Sequence, residues 1–164
     1  MSTIDTDAQP LEGGAAFGAK AVELVKAARS EVLLLTESLD RRLYLDDALT
    51  SALKEFLLAR EQARLRVLVL DASQAMHNLP RLAELFRRLC TQVELRKPPD
   101  ERRSECRREW LIADRRGLLE RHDSDALLAQ YWQQAPQRGK SRSDVFDEIW
   151  KESEPDSEMR TLGI

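Results

Sequence analysis

Hydrophobic positions along this chain follow two different periods. Apolar residues recur at a spacing of three to four in Phe17–Ala28, Leu45–Leu57 and Leu82–Leu89, which predicts amphipathic helices. Val32–Leu35 and Leu65–Leu70 are instead short apolar runs between polar residues, as in strands buried on both faces of a sheet. This order predicts an α/β fold with a mixed, mostly parallel sheet and helices on both faces.

The second half of the chain has shorter elements. Three strands are expected here: Val93–Arg96, Glu109–Asp114 and Leu118–Leu119. The last two flank a turn-forming sequence and should pair as an antiparallel hairpin. After them we expect a short helix over 126–133, a loop over 136–140, and a last helix that a capping box of Ser141 and Asp144 begins.

Length and composition fit one domain. The chain has 164 residues, of which 42% are hydrophobic, enough to build a core. We expect an unstructured lead at 1–14, a single domain at 15–154 and a flexible acidic tail at 155–164. No apolar run exceeds four residues, so we expect no membrane span and a cytoplasmic protein.

Charge and cysteine usage narrow the classes of partner and cofactor. The net charge is −3, and the most basic stretch, 81–121, interleaves 12 basic with 8 acidic residues. We therefore do not expect nucleic acid among the partners. Cys90 and Cys106 lack the spacing of a zinc or disulfide motif, so neither a metal nor another cofactor is expected.

Candidate binding residues follow the two apolar strands. The loops after them lack the glycines of a nucleotide-binding loop, which disfavours dinucleotide and P-loop chemistry. Ser38, Arg41 and Arg42 could hold a phosphate or carboxylate, with Asp71 in the neighbouring loop. Alternatively, Asp40 caps the next helix and the arginines pair with Asp46, Asp47 or water.

From about residue 17 to 153, the succession of elements resembles one half of the phospholipase D superfamily. The strand that ends in Leu111-Ile112-Ala113-Asp114 takes the place of the strand that carries the family's motif, His-x-Lys followed four residues later by Asp. Aligned on Asp114, the chain has Arg107 at the His position and Glu109 at the Lys position. Residues two apart on a strand share a face, so Arg107 and Glu109 should point the same way.

The resemblance implies a degenerate half without phosphodiester chemistry. Arginine has no lone pair with which to attack phosphorus, and a glutamate would repel the phosphodiester that the lysine should hold. We expect a non-catalytic binding or scaffold domain whose cleft is retained as an anion pocket or a surface for a protein partner. The resemblance also implies a homodimer. The expected ligand-binding residues are Ser38, Arg41, Arg42, Asp71, Arg107, Glu109 and Asp114.

The alternative is a phosphodiesterase or phosphatase with a displaced nucleophile. His77, in the loop expected after the second apolar strand, is its candidate catalytic residue. The chain's other histidine, His122, lies beside Asp123 and Asp125. Nothing in the sequence fixes these three residues in a known ligand geometry, so no metal site is expected there.

Overall fold

Strands and helices alternate through most of the chain, as the hydrophobic pattern predicts. The computed structural model describes residues 4–122 and 127–156. Its strands and helices are β1 Gln9–Glu12, α1 Gly14–Ala27, β2 Glu31–Thr36, α2 Asp46–Ala59, β3 Arg64–Val69, α3 Ala72–Asn78, α4 Pro80–Arg88, β4 Val93–Lys97, β5 Glu109–Ala113, β6 Gly117–Arg121, β7 Leu128–Trp132, α5 Pro136–Glu152 and β8 Glu154–Pro155. Within the described ranges, no helix is both long and apolar enough to cross a membrane.

The strands form one mixed sheet in the order β1-β7-β6-β5-β2-β3-β4-β8. The α/β class and the mixed sheet are confirmed. Parallel pairing, however, is restricted to β2, β3 and β4, and the other pairings are antiparallel. Helical crossovers join these three strands, whereas β4 connects to β5, and β5 to β6, without an α-helix.

Helices cover both faces of the sheet, as predicted. Successive strand residues point to opposite faces, so Val32 and Leu34 pack in one core and Leu33 and Leu35 in the other. The first core contains α1, α2 and α4. The second is smaller and contains α5, through residues such as Phe146. The apolar run of β2 is therefore explained by burial on both sides.

Two predictions for the C-terminal part are wrong. The segment 126–133, expected to be a helix, contains strand β7, which pairs with β6 on one side and β1 on the other. The segment 136–140, expected to be a loop, is the beginning of α5, because Pro136 suits the first helical turn. Ser141 and Asp144 consequently lie inside α5 and do not cap it.

Both outermost strands of the described sheet contain a proline. β1 lies within 1–14, a segment for which we expected no regular structure, and its Pro10 is opposite Gln130 of β7. At the other end of the sheet, Pro155 of β8 is opposite Arg96 of β4. Most of the expected tail, 155–164, lies outside the described residues.

Replacing Gly139 by alanine should destabilise the protein. Gly139 packs against the turn between β5 and β6, where an added Cβ would overlap the backbone of Arg115. Overpacking of this kind costs roughly 1–3 kcal/mol of unfolding free energy. The control is Ser141→Ala, at an exposed position of the same helix, for which we expect a change below about 0.5 kcal/mol. Urea denaturation measures the unfolding free energies of both variants and the wild type. Equal values for Gly139→Ala and the wild type would contradict a rigid contact between α5 and this turn.

Candidate functional site

Residues from five strands meet at one edge of the sheet. The parallel strands β2, β3 and β4 end there, the antiparallel β5 begins there, and β6 ends there. We call this the carboxyl edge and define it by Thr36, Val69, Lys97, Glu109 and Arg121. Ligands of α/β sheets commonly bind beyond such an edge, so the predicted site residues should be sought there.

Glu109 is a buried carboxylate at the carboxyl edge, with 1% of its surface exposed. Its Oε1 accepts a hydrogen bond from the Thr36 hydroxyl at 2.9 Å, and its Oε2 accepts one from the Tyr44 hydroxyl at 2.6 Å. Arg121 of β6, which is also buried, brings its guanidinium to 3.9 Å from Oε1. Both carboxylate oxygens are therefore occupied by groups of the chain itself.

The segment 37–45 between β2 and α2 covers Glu109. The Thr36 hydroxyl accepts the backbone N–H of Leu39 at 2.9 Å, which folds the start of this segment back over the end of β2. Tyr44 packs edge-on against Phe17 of α1, with ring centres 5.4 Å apart. Gly18 allows α1 to approach, because a Cβ there would lie 2.7 Å from the carbonyl oxygen of Leu43.

This environment changes the acidity of Glu109. Loss of solvent raises the pKa of Glu109 to about 7, although the hydrogen bonds from Tyr44 and Thr36 and the charge of Arg121 act in the opposite direction. Burial, followed by the nearby Glu109 carboxylate, raises the pKa of Tyr44 well above 10. Tyr44 thus stays protonated and continues to donate to Glu109.

Arg107 lies in a different environment from Glu109. It belongs to the 3-10 turn Glu105–Arg107, so the strand spacing expected to place both residues on one face does not apply. Its side chain is 59% exposed, and its Nε lies 4.0 Å from Glu37. Arg108, which follows, is also exposed. The carboxyl edge therefore presents two arginines to solvent.

The segment that carries these arginines is tied to α5 by Arg102. The Arg102 guanidinium forms ion pairs at 2.8–3.0 Å with Glu105, Glu148 and Glu152, the last two on α5. Hydrogen bonds to these three carboxylates raise the pKa of Arg102. This anchor holds the backbone just before Arg107 in a fixed position.

The remaining predicted residues near the carboxyl edge have local structural contacts. Arg42 holds Asp40 through two hydrogen bonds from Nε and one from Nη2, so Asp40 does not cap α2 as the alternative expected. The Ser38 carbonyl accepts a hydrogen bond from Asn78 at 2.8 Å, and the Asp71 carboxylate caps α3. Arg41 is exposed.

Asp114 lies at the opposite end of β5 from Glu109. Its carboxylate accepts hydrogen bonds from the backbone N–H groups of Arg29, Ser30 and Glu31 at 2.8–3.0 Å. Asp114 therefore fixes the start of β2 and does not converge with Arg107 at the carboxyl edge.

The two histidines are in contrasting settings. His77 lies in α3, not in a loop as expected, and its exposed side chain has no hydrogen bond or ion pair within the part of the chain that is described. His122 Nε2 lies 3.0 Å from a carboxylate oxygen of the buried Glu120. Sequence analysis missed this pair, although the Glu-x-His spacing, which places both side chains on one face of a strand, was an available signal.

The structure also bears on the expected absence of a metal. Asp123 and Asp125 lie outside the described residues. Elsewhere, in ranges 4–122 and 127–156, no cluster of three or more His, Cys, Asp or Glu side chains could hold a metal ion.

Unfolding of the wild type should depend on pH through Glu109. Because the folded-state pKa of about 7 lies above the ordinary value of 4.5, the folded protein binds the proton more tightly, and stability falls as pH rises between these values. Over this pH range the free energy of unfolding decreases by roughly 3 kcal/mol. Glu109→Gln cannot titrate and should lack this contribution. Urea denaturation of both proteins at about pH 5 and pH 8 measures it, and identical pH slopes would contradict it.

The fold is similar to solved structures over most of the chain. TrmBL2, an archaeal chromatin protein with a novel mode of DNA binding, gives a TM-score of 0.62 at 17% identity, over 92% of this chain and 54% of TrmBL2. This chain thus spans about half the length of TrmBL2. Nuc from Salmonella typhimurium, a phospholipase D family member, gives 0.62 at 11% identity, over 92% of this chain and 97% of Nuc. Phosphatidylserine synthase from Haemophilus influenzae Rd KW20 gives a TM-score of 0.59 at 12% identity, over 91% of this chain and 40% of the synthase.

One of these similarities corrects a prediction. Nucleic acid was not expected among the partners, but a DNA-binding chromatin protein shares the fold, so this exclusion is wrong. It rested on net charge and on acids interleaved along the sequence. Neither quantity describes which arginines are exposed together at one edge of a folded sheet.

Sequence comparison completes the assignment. No match was found among curated protein sequences. The family model described as "Domain of unknown function (DUF7931)" matches residues 14–162. The chain therefore belongs to the DUF7931 family of domains of unknown function, and its fold is that of the phospholipase D superfamily.

Proposed function

We propose that this chain is a non-catalytic phospholipase D-like module that binds a phosphate-bearing ligand at its carboxyl edge. The observation that carries the proposal is the contrast between Glu109 and Arg107. Glu109, at the motif's Lys position, is buried and hydrogen-bonded to Thr36 and Tyr44. Arg107, at the His position, faces solvent.

The contrast argues against phosphoryl transfer at this edge. Arg107 is always protonated and cannot attack phosphorus. Glu109 is covered by segment 37–45. When Glu109 is ionised, its negative charge would repel a phosphate. The alternative, a phosphodiesterase in which His77 is the displaced nucleophile, has less support, because no described residue orients the His77 ring.

The same contrast favours binding of an anion. A guanidinium offers several donors in a planar arrangement that suits two oxygens of one phosphate. Arg107 and Arg108 are adjacent and exposed, and the Arg107–Glu37 contact is long enough to be exchanged for a ligand. Since TrmBL2 binds DNA, nucleic-acid phosphates are one source of such a ligand, and free phosphate compounds are another.

Removing either exposed arginine should weaken binding of phosphate. A hydrogen bond to a charged group contributes roughly 1.5–3 kcal/mol, so Arg107→Ala and Arg108→Ala should each raise the Kd for inorganic phosphate about tenfold. Arg87→Ala, at an exposed position of α4, is the matched control and should leave the Kd unchanged. NMR titration with inorganic phosphate, and then with a short DNA duplex, measures these effects.

The outcomes separate the two sources of phosphate. Tight binding of the duplex that weakens steeply with salt would identify nucleic acid as the source. Phosphate binding without duplex binding would favour a small ligand. If all three variants bind phosphate as the wild type does, or if the wild type binds neither probe, the proposed site is wrong.

Catalysis is tested separately with bis(p-nitrophenyl) phosphate. We expect no release of nitrophenol above the rate in buffer, because the motif's His position carries Arg107 and the hydroxyls of Thr36 and Tyr44 are hydrogen-bonded to Glu109. Turnover that disappears in His77→Ala would refute the non-catalytic proposal in favour of the displaced nucleophile. The homodimer implied by the resemblance stays a prediction, which sedimentation velocity can measure.

A further inference from the structure

A surface groove lies on the face of the sheet that α5 covers, beyond the helix, on strands β6, β7 and β1. It has a volume of about 400 Å³. Its lining includes Pro10, Glu120, His122, Leu128 and Gln130. Leu128 is 57% exposed and supplies apolar surface to the groove. The groove therefore combines an apolar surface with a few polar groups, as ligand sites commonly do.

Strand register arranges the groove and its surroundings in rows. Glu120 is opposite Gln130, which is opposite Pro10. At the carboxyl edge, Glu109 at the start of β5 is opposite Arg121 at the end of β6, so Arg108, just before Glu109, and His122, just after Arg121, leave the sheet side by side. The groove thus begins next to one of the exposed arginines of the proposed anion site.

His122 is held in the groove by a buried network. Glu120 has 1% of its surface exposed. Its Oε2 accepts a hydrogen bond from Arg142 Nε at 2.9 Å, and His122 Nε2 lies 3.0 Å from its Oε1. The Arg142 guanidinium also lies 5.7 Å from the centre of the Trp110 ring. Glu120 and Arg142 neutralise each other, so this buried network adds no net negative charge to the His122 end of the groove.

We propose that the ligand is an organic anion with an apolar body, which lies on Leu128 and Pro10 while its acidic group contacts His122 and Arg108. This inference rests on the proposed anion-binding function and names the ligand class for it. If each heavy atom of the ligand takes the volume that a water molecule takes in the liquid, the groove has room for a body of about ten to fifteen heavy atoms.

Charges around the groove fix the direction of the ligand. Glu12 is opposite Leu128 on the side away from His122. A carboxylate there repels the acidic group from the β1 side, whereas the charge of Arg108 attracts it on the other side. The apolar body must then extend from the His122 end across Leu128.

The test compares phenyl phosphate with inorganic phosphate and with phenol. We expect phenyl phosphate to bind at least about tenfold more tightly than inorganic phosphate, because its ring buries apolar area in the groove. The chain has only two histidines, so their ring protons identify the site by NMR. Phenyl phosphate should shift the His122 signals and leave those of His77 in place.

Matched variants separate the parts of the site. Leu128→Ser should remove the advantage of phenyl phosphate and leave inorganic phosphate unaffected. Leu58→Ser is its control, since Leu58 is 60% exposed at a distant position. His122→Ala should weaken phenyl phosphate binding about tenfold, the loss expected for a contact to a charged group, whereas His77→Ala should not.

Each outcome has one meaning. If phenyl phosphate and inorganic phosphate bind equally, the groove is not a ligand site, although the arginines of the proposed function remain. If phenol binds as tightly as phenyl phosphate, the acidic group has no role and the inference is overturned. If neither phosphate compound binds, the inference and the proposed function both fail.

Discussion

Burial of the Glu109 carboxylate constrains how the carboxyl edge can be built. A carboxylate removed from water must be hydrogen-bonded or paired, otherwise the desolvation cost exceeds what the fold can offset. Its partners come from separate parts of the chain: Thr36 ends β2, Tyr44 lies in the segment before α2, and Arg121 ends β6. The covering segment is therefore held in place by the acid beneath it, and exposing that acid would release the segment.

Much of the fold follows from patterns in the sequence, because apolar periodicity reports burial directly. Val32–Leu35 and the helical stripe that includes Leu82 gave the right elements. The pattern failed where tertiary contacts decide the conformation. β7 is a strand because β6 and β1 lie beside it, and α5 packs against the turn between β5 and β6 because Gly139 has no Cβ to prevent the approach.

The candidate site was less accessible to sequence analysis. The resemblance gave the correct fold and directed attention to Arg107 and Glu109. Sequence could not show that Tyr44 covers Glu109, since this contact brings together residues 65 positions apart. It also favoured His77 over His122, because His77 follows an apolar strand, beyond the end of which ligands of such sheets commonly bind, whereas His122 follows the hairpin.

The prolines of β1 and β8 have a consequence for how this protein can associate. An edge strand normally offers free N–H groups on which another chain can add a strand, and such edges favour aggregation. Pro10 and Pro155 have no N–H to offer, and β8 is only two residues long. Each proline therefore disfavours lengthening of the described sheet at its end, and with it an assembly of copies through a continuous intermolecular sheet.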